Sequence, residues 1–175
     1  MPSTQSSTGN LVAISGLPGS GKSDLADALR QALAAPVVAM DTHYRPTTPG
    51  GEVDFSDPAS LDLDAVLKQI GRHWDDGARL VIAEGIFALT FEAVRSRACL
   101  MVWLEIPMDI GLARKLLRKL EAGADITPSI RGYLARGRDG YLRHVLPTHH
   151  RANLVLNGTR PVDDLVTEIA EKVPR

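Results

Sequence analysis

The chain has 175 residues, a net charge of −1, and 44% hydrophobic against 23% charged residues. These values describe one globular domain able to bury a sizeable core, and exclude a broadly basic surface for nucleic acid or acidic membranes. A single cysteine, Cys99, excludes a disulfide framework, and no apolar run reaches the about 20 residues of a membrane span.

The opening MPSTQSSTGN is polar and lacks the apolar segment of a signal peptide. Residues 1–10 therefore read as a disordered tail, and 11–175 as the single domain of a cytoplasmic protein. Residues 11–15 (LVAIS) form a short aliphatic run that predicts a buried strand, and helical spacing follows over 22–33. A second strand is expected over 36–40 (PVVAM). The stretch 42–59, rich in Pro, Gly, Asp and Thr, reads as a long functional loop. A helix over 61–74 sets Leu61, Val66, Leu67, Ile70 and Trp74 on about one face. Strands follow at 80–84 (LVIAE) and 99–106 (CLMVWLEI), then a helix over 108–120 carrying Ile110, Leu112, Leu116, Leu117 and Leu120. Another helix is expected over 130–145, a strand over 153–157 (NLVLN) and a last helix over 162–173. Cys99 reads as a buried, inert thiol, and Trp74 and Trp103 as packing groups. Strands separated by helices predict an α/β domain with a parallel sheet covered on both faces.

Between the first strand and the first helix lies GLPGSGKS. Gly16, Gly21, Lys22 and Ser23 satisfy the spacing G-x-x-x-x-G-K-[S/T], in the strand-to-helix setting that a phosphate cradle requires. Glycines let the backbone N–H groups point inward at phosphate oxygens, and the helix N-terminus adds roughly half a positive charge. Lys22 is placed to reach the β- and γ-phosphates, and the Ser23 hydroxyl to ligate Mg²⁺. The nucleotide-binding set is Gly16, Leu17, Pro18, Gly19, Ser20, Gly21, Lys22, Ser23 and Asp24. No N-K-x-D segment reads guanine, and the strand 80–84 ends in Glu84 where ATP-driven machines usually end in Asp. A small-molecule kinase is the reading left.

The second strand ends in MDTHY, which places Asp41 at the carboxyl edge of the sheet beside the phosphate loop. A carboxylate there can accept the proton of an attacking hydroxyl or hold the metal through water. Glu84, followed by Gly85, is a second acid at a strand end. His43 beside Asp41 is a candidate substrate contact. The adjacent His149 and His150 read as ordinary loop residues, and His73 and His144 as exposed helix residues. No basic patch interleaves with aromatics, so nucleic acid is not an expected partner.

Together these segments resemble the uridine kinase and phosphoribulokinase family of P-loop kinases, over most of the chain. ISGLPGSGKS resembles the family's phosphate loop, and MDTHYRP its D-x-F-Y acceptor segment, with Asp41 and Tyr44 matching. VDFSDPASLD is similar to its N-F-D-H-P-D-A-F-D stretch, VIAEGIFAL to V-I-x-E-G-I-L, and LPTHHRANLVLNG to its closing L-P-T-K-K-x-A-D-x-I-I-x-x-G. The resemblance implies a P-loop NTPase fold of about five parallel strands with a short lid. It also implies transfer of phosphate from ATP, with Mg²⁺, to a hydroxyl of a nucleoside or other ribosyl compound.

Carried over by residue, the resemblance makes Lys22, Asp41 and Arg118 catalytic and puts Ser23, Asp41 and Glu84 in the metal sphere. Asp41 and Tyr44 fall at the substrate, and Asp54 or Asp57 replaces the sugar-binding acid that the family places near Ser56. Two departures stand out. One helix uses most of the stretch between Asp62 and Glu84, so the base-covering insertion of uridine kinases is missing. In the lid segment RKLEAGADI only Arg118 remains, with Ala122 and Ala124 at the other arginine positions, and Arg114, Lys115, Arg131, Arg136 and Arg138 as substitutes. Acceptors such as nicotinamide riboside, a pantothenate-type compound or a sugar alcohol stay open, as does a regulatory nucleotide-binding module without transfer. So does the choice between monomer and homo-oligomer.

Overall fold

The computed structural model describes residues 9–174. The expected tail thus falls almost wholly outside the described residues, while Asn10 already pairs with Leu80 as the first residue of the first strand.

Five strands form one parallel sheet: β1 (Asn10–Ser15), β2 (Val37–Ala39), β3 (Leu80–Glu84), β4 (Ala98–Glu105) and β5 (Leu154–Asn157), in the spatial order β2-β3-β1-β4-β5. Aliphatic side chains fill these strands because both faces are covered. Leu11, Ala13, Val81, Ala83 and Trp103 point to one face; Val12, Ile14, Ile82, Val102 and Leu104 point to the other. On the first face they meet α2 (Leu63–Asp75) through Val66, Ile70 and Trp74, and α3 (Glu92–Arg95) through Val94. On the second they meet α1 (Lys22–Leu33) through Leu25, Ala26 and Leu29, and α7 (Val162–Lys172) through Leu165 and Ile169. Trp74 and Trp103 are packing groups, as expected. Cys99 is only half-buried, and its thiol donates to the Leu11 carbonyl at 3.3 Å.

β1 is central, with β3 on one side and β4 on the other. The chain after β1 goes to β2 and β3 on one side and then crosses to β4 and β5 on the other, which opens a crevice at the carboxyl end of β1.

Two elements depart from the expected pattern. α4 (Met108–Glu121) buries only Gly111, and its Leu117 and Leu120 are exposed, so its leucine stripe is not core. The helix expected over 130–145 begins earlier, as α5 (Thr127–Gly132). It then continues through a π turn (Tyr133–Gly137), a short α6 (Arg138–Gly140) and a second π turn (Tyr141–Val145). Wider turns of this kind often mark functional sites.

Candidate active site

A cleft of about 760 Å³ opens at the carboxyl end of the sheet. Its floor is the loop between β1 and α1. Gly16 and Gly19 adopt φ of 153° and 80°, and a Cβ at either would collide with a backbone oxygen, of Leu104 and Gly111 respectively. Only glycine fits there. Lys22 is 7% exposed, and its Nζ donates to the Leu17 carbonyl at 3.0 Å and to Ser20 Oγ at 3.3 Å. Burial lowers its ammonium pKa to about 8; Glu84 and Asp41 oppose that shift, while Arg118 and Lys115 add to it. A lysine held this way is short of counter-charge, the condition that suits an anionic ligand.

β3 delivers Glu84 beside the loop. Ser23 Oγ donates to Glu84 Oε1 at 3.2 Å, so a hydroxyl and a carboxylate meet at the start of α1. Burial pushes the Glu84 carboxyl pKa up, Lys22 and the Ser23 hydrogen bond pull it down, and Asp41 adds to the rise. Two hard oxygen donors in contact fit Mg²⁺. Among the described residues no group of three or more His, Cys, Asp or Glu side chains gathers for a metal. Mg²⁺ suits such a site, because it takes one or two protein oxygens and completes its shell with phosphates and water.

Asp41 sits on a 3₁₀ turn (Met40–His43) directly after β2 and lines the same cleft. The turn is pinned by Thr42 Oγ1 donating to Ala39 O at 2.8 Å and by the His43 ring against Gln69 Oε1 at 2.7 Å. His43 therefore faces α2 and is not among the cleft-lining residues.

The wall opposite is built from Tyr44 and residues 53–56. Tyr44 packs edge-on against Phe55 and Phe87, at ring separations of 5.1 and 6.2 Å, and burial drives its phenol pKa upward. Asp54 Oδ1 accepts from both Ser56 N (2.9 Å) and Ser56 Oγ (2.6 Å), and its carboxylate lines the cleft. Asp57 does not: its carboxylate caps the next turn by accepting from Ala59 N at 2.8 Å. Of the two acids expected beside the acceptor, the structure brings only Asp54 into the cleft.

The roof is cationic. Arg114, Lys115, Arg118 and Lys119 of α4 all line the cleft, with Arg136 from the first π turn. Burial and its cationic neighbours Lys119 and Arg118 lower the pKa of Lys115. Arg114 Nη1 donates to Gly158 O at 3.1 Å, and Lys119 Nζ to Ser129 Oγ at 2.7 Å, which ties α4 to its surroundings. Arg131 and Arg138 are not among the lining residues, and Arg138 pairs with Asp139. His149 packs on Trp103 and His150, outside the cleft. Lys119, Phe55, Tyr133 and Tyr141 line the site without having been singled out by sequence; nothing in spacing marks them, and for the two tyrosines it is the π turns that set which way they face.

The Phosphoribulokinase / Uridine kinase family model matches residues 61–164, more than half of the chain. A uridine kinase of Haemophilus influenzae is 25% identical, over 83% of this chain and 85% of that enzyme. Among solved structures, a shikimate kinase of Aquifex aeolicus superposes with a TM-score of 0.52 at 20% identity, covering 92% of this chain and 94% of that one. A gluconokinase of Sinorhizobium meliloti superposes with a TM-score of 0.53 at 17% identity, covering 96% and 93%. The two structures share the P-loop fold. The family match, together with the loop, the Ser23–Glu84 pair and the cationic roof, shows that the chain belongs to the phosphoribulokinase / uridine kinase family and is an ATP-dependent kinase of small molecules.

Proposed function

We propose that the cleft transfers the γ-phosphoryl group of Mg·ATP to a hydroxyl of a nucleoside or other ribosyl compound. The observation that carries this reading is convergence: buried Lys22, the Ser23–Glu84 pair and Asp41 all face one cavity under a roof of lysine and arginine.

Lys22 and the loop amides hold the β- and γ-phosphates. Ser23 Oγ and Glu84 hold Mg²⁺, which when bound neutralises phosphate charge. Asp41 accepts the proton of the acceptor hydroxyl as that oxygen bonds to the γ-phosphorus and the bond to the departing ADP oxygen breaks. Arg118 and Lys115 spread the negative charge that the equatorial oxygens carry in the transition state.

The experiment is acceptor-dependent release of ADP from Mg·ATP with uridine, cytidine, nicotinamide riboside and D-ribose. Stimulation by at least one of them is expected. Normal ATP binding with no stimulation by any of the four would reject the ribosyl reading.

A further inference from the structure

The cleft has two ends with different chemistry. Lys22 has Glu84, Asp41, Arg118 and Lys115 as its charged neighbours. At the other end Tyr141 has Asp54 and Tyr133 beside it. Tyr44 lies between, in reach of Asp41 and Glu84 as well as Asp54 and Tyr141. Arg136 belongs to the second end. It reaches Glu52 at 3.5 Å and Asp54 at 3.6 Å, and it lines the cleft with Tyr44, Phe55, Tyr133 and Tyr141.

Two details fix what this end can bind. Asp54 commits Oδ1 to Ser56 and turns Oδ2 toward Arg136, so the acid is largely occupied. The contacts of Arg136 are ion pairs longer than the usual hydrogen bond of about 2.7–3.2 Å, which leaves the five N–H donors of its guanidinium available. Its charge is already matched by two carboxylates, so a neutral oxygen suits it better than an anion, which Glu52 and Asp54 would repel. Gly140 supports the arrangement: a Cβ there would approach Ser56 Cβ to 2.5 Å, so glycine lets the helical rod close on the Asp54 loop.

We propose that Arg136 is a specificity-determining residue for the phosphoryl acceptor, donating hydrogen bonds to neutral hydroxyl or carbonyl oxygens of a polyhydroxyl compound seated among Tyr44, Phe55, Tyr133 and Tyr141. This rests on the reading of the cleft as a kinase site, and it moves Arg136 away from the phosphates and the role of a substitute lid arginine.

The test compares the full chain with Arg136→Ala and Arg136→Lys, using Mg·ATP and five acceptors: uridine, D-ribose and D-fructose as neutral compounds, shikimate and gluconate as anionic ones. A neutral acceptor is expected to be phosphorylated. Arg136→Ala should raise its KM by about tenfold or more, the scale of a lost charged hydrogen bond, with a smaller loss of turnover. The KM for ATP should stay within about twofold, as for an ordinary surface change. Arg136→Lys should recover part of the acceptor affinity, because it keeps charge but not the planar fork. An unchanged acceptor KM, a KM for ATP that rises in step, or preference for an anionic acceptor overturns the assignment of Arg136 while the kinase reading stands. If wild type binds Mg·ATP but phosphorylates none of the five, the polyhydroxyl acceptor is wrong and the assignment of Arg136 falls with it.

Discussion

At the scale of single residues, Lys22 and Asp41 give separable signals. The pKa of Lys22 falls from 10.5 to about 8 on folding because burial disfavours the ammonium. Below pH 8 the amine is charged in both states, and the folded state bears the full cost of burying it. Between pH 8 and 10.5 the unfolded chain holds a proton that the folded chain has released, so stability rises with pH across that window. A shift of this size corresponds to about 3 kcal/mol at most. Relative to Lys22→Met, the ligand-free wild type should therefore gain stability from pH 8 to 10.5 in urea unfolding. A difference that stays flat across the window would show that Lys22 is not held as a charge-starved amine. Asp41 is exposed on its turn and touches neither Lys22 nor Ser23 by hydrogen bond. Asp41→Asn should then leave Mg·ATP binding largely intact and cut transfer by about 10²-fold or more, the scale of a lost general base. Loss of ATP affinity in step with the rate would place Asp41 in the metal shell instead.

At the scale of elements, the approach of α4 to the phosphate loop rests on two glycines. A Cβ on Gly111 would meet Pro18 O at 2.5 Å, and a Cβ on Gly19 would strike the Gly111 carbonyl. Gly111→Ala must push the helix and the loop apart. Overpacking of this kind typically costs about 1–3 kcal/mol. The same variant should raise the KM for ATP, because Arg114, Lys115 and Arg118 ride on the helix that moves. Gly132→Ala is the matched control. It lies in α5, and beyond its own turn of backbone no atom comes within 4 Å of the added carbon, so thermal unfolding should show no loss and a gain of up to about 1 kcal/mol from helix propensity.

How far these elements can be read from sequence depends on what fixes them. β3 and α1 match their expected bounds, and the other strands match to within a residue or two, because buried aliphatic runs and a phosphate-loop helix are determined locally. β2 stops at Ala39 because Met40 enters the 3₁₀ turn that presents Asp41. α3 has four residues, too few for a period to show. The leucines of α4 have core spacing, yet Leu117 and Leu120 face solvent while the helix turns its cations to the cleft, since it serves as a roof whose buried contact is a glycine. Likewise, sequence offset alone cannot tell Asp54 from Asp57. The choice is made by which carboxylate caps a turn, and by Arg136 from a distant π turn.

For the whole molecule, the decisive property is that both cores share one sheet while the ligand end is held by one loop. Leu11 and Ala13 of β1 belong to one core, Val12 and Ile14 to the other, and the phosphate loop follows at once. Melting either face exposes the other, so residues 9–174 should unfold in one cooperative transition. A ligand gripped by the loop then stabilises the entire domain. At a concentration about 100 times its Kd, a nucleotide adds about 2.7 kcal/mol, and for a chain of this length each kcal/mol raises Tm by about 2–4 °C. Calorimetry with a non-hydrolysable ATP analogue and Mg²⁺ should therefore show a single peak displaced upward by about 5–11 °C. Lys22→Ala should keep the single peak and lose most of the displacement, because it removes the buried cation facing the phosphates and not a core side chain. It should also abolish transfer, at a cost of several kcal/mol of transition-state stabilisation. Two peaks, with only the later one moving, would mean that the roof of α4 and the helical rod melts apart from the sheet. A full displacement retained in Lys22→Ala would mean that the nucleotide is held somewhere other than the phosphate loop.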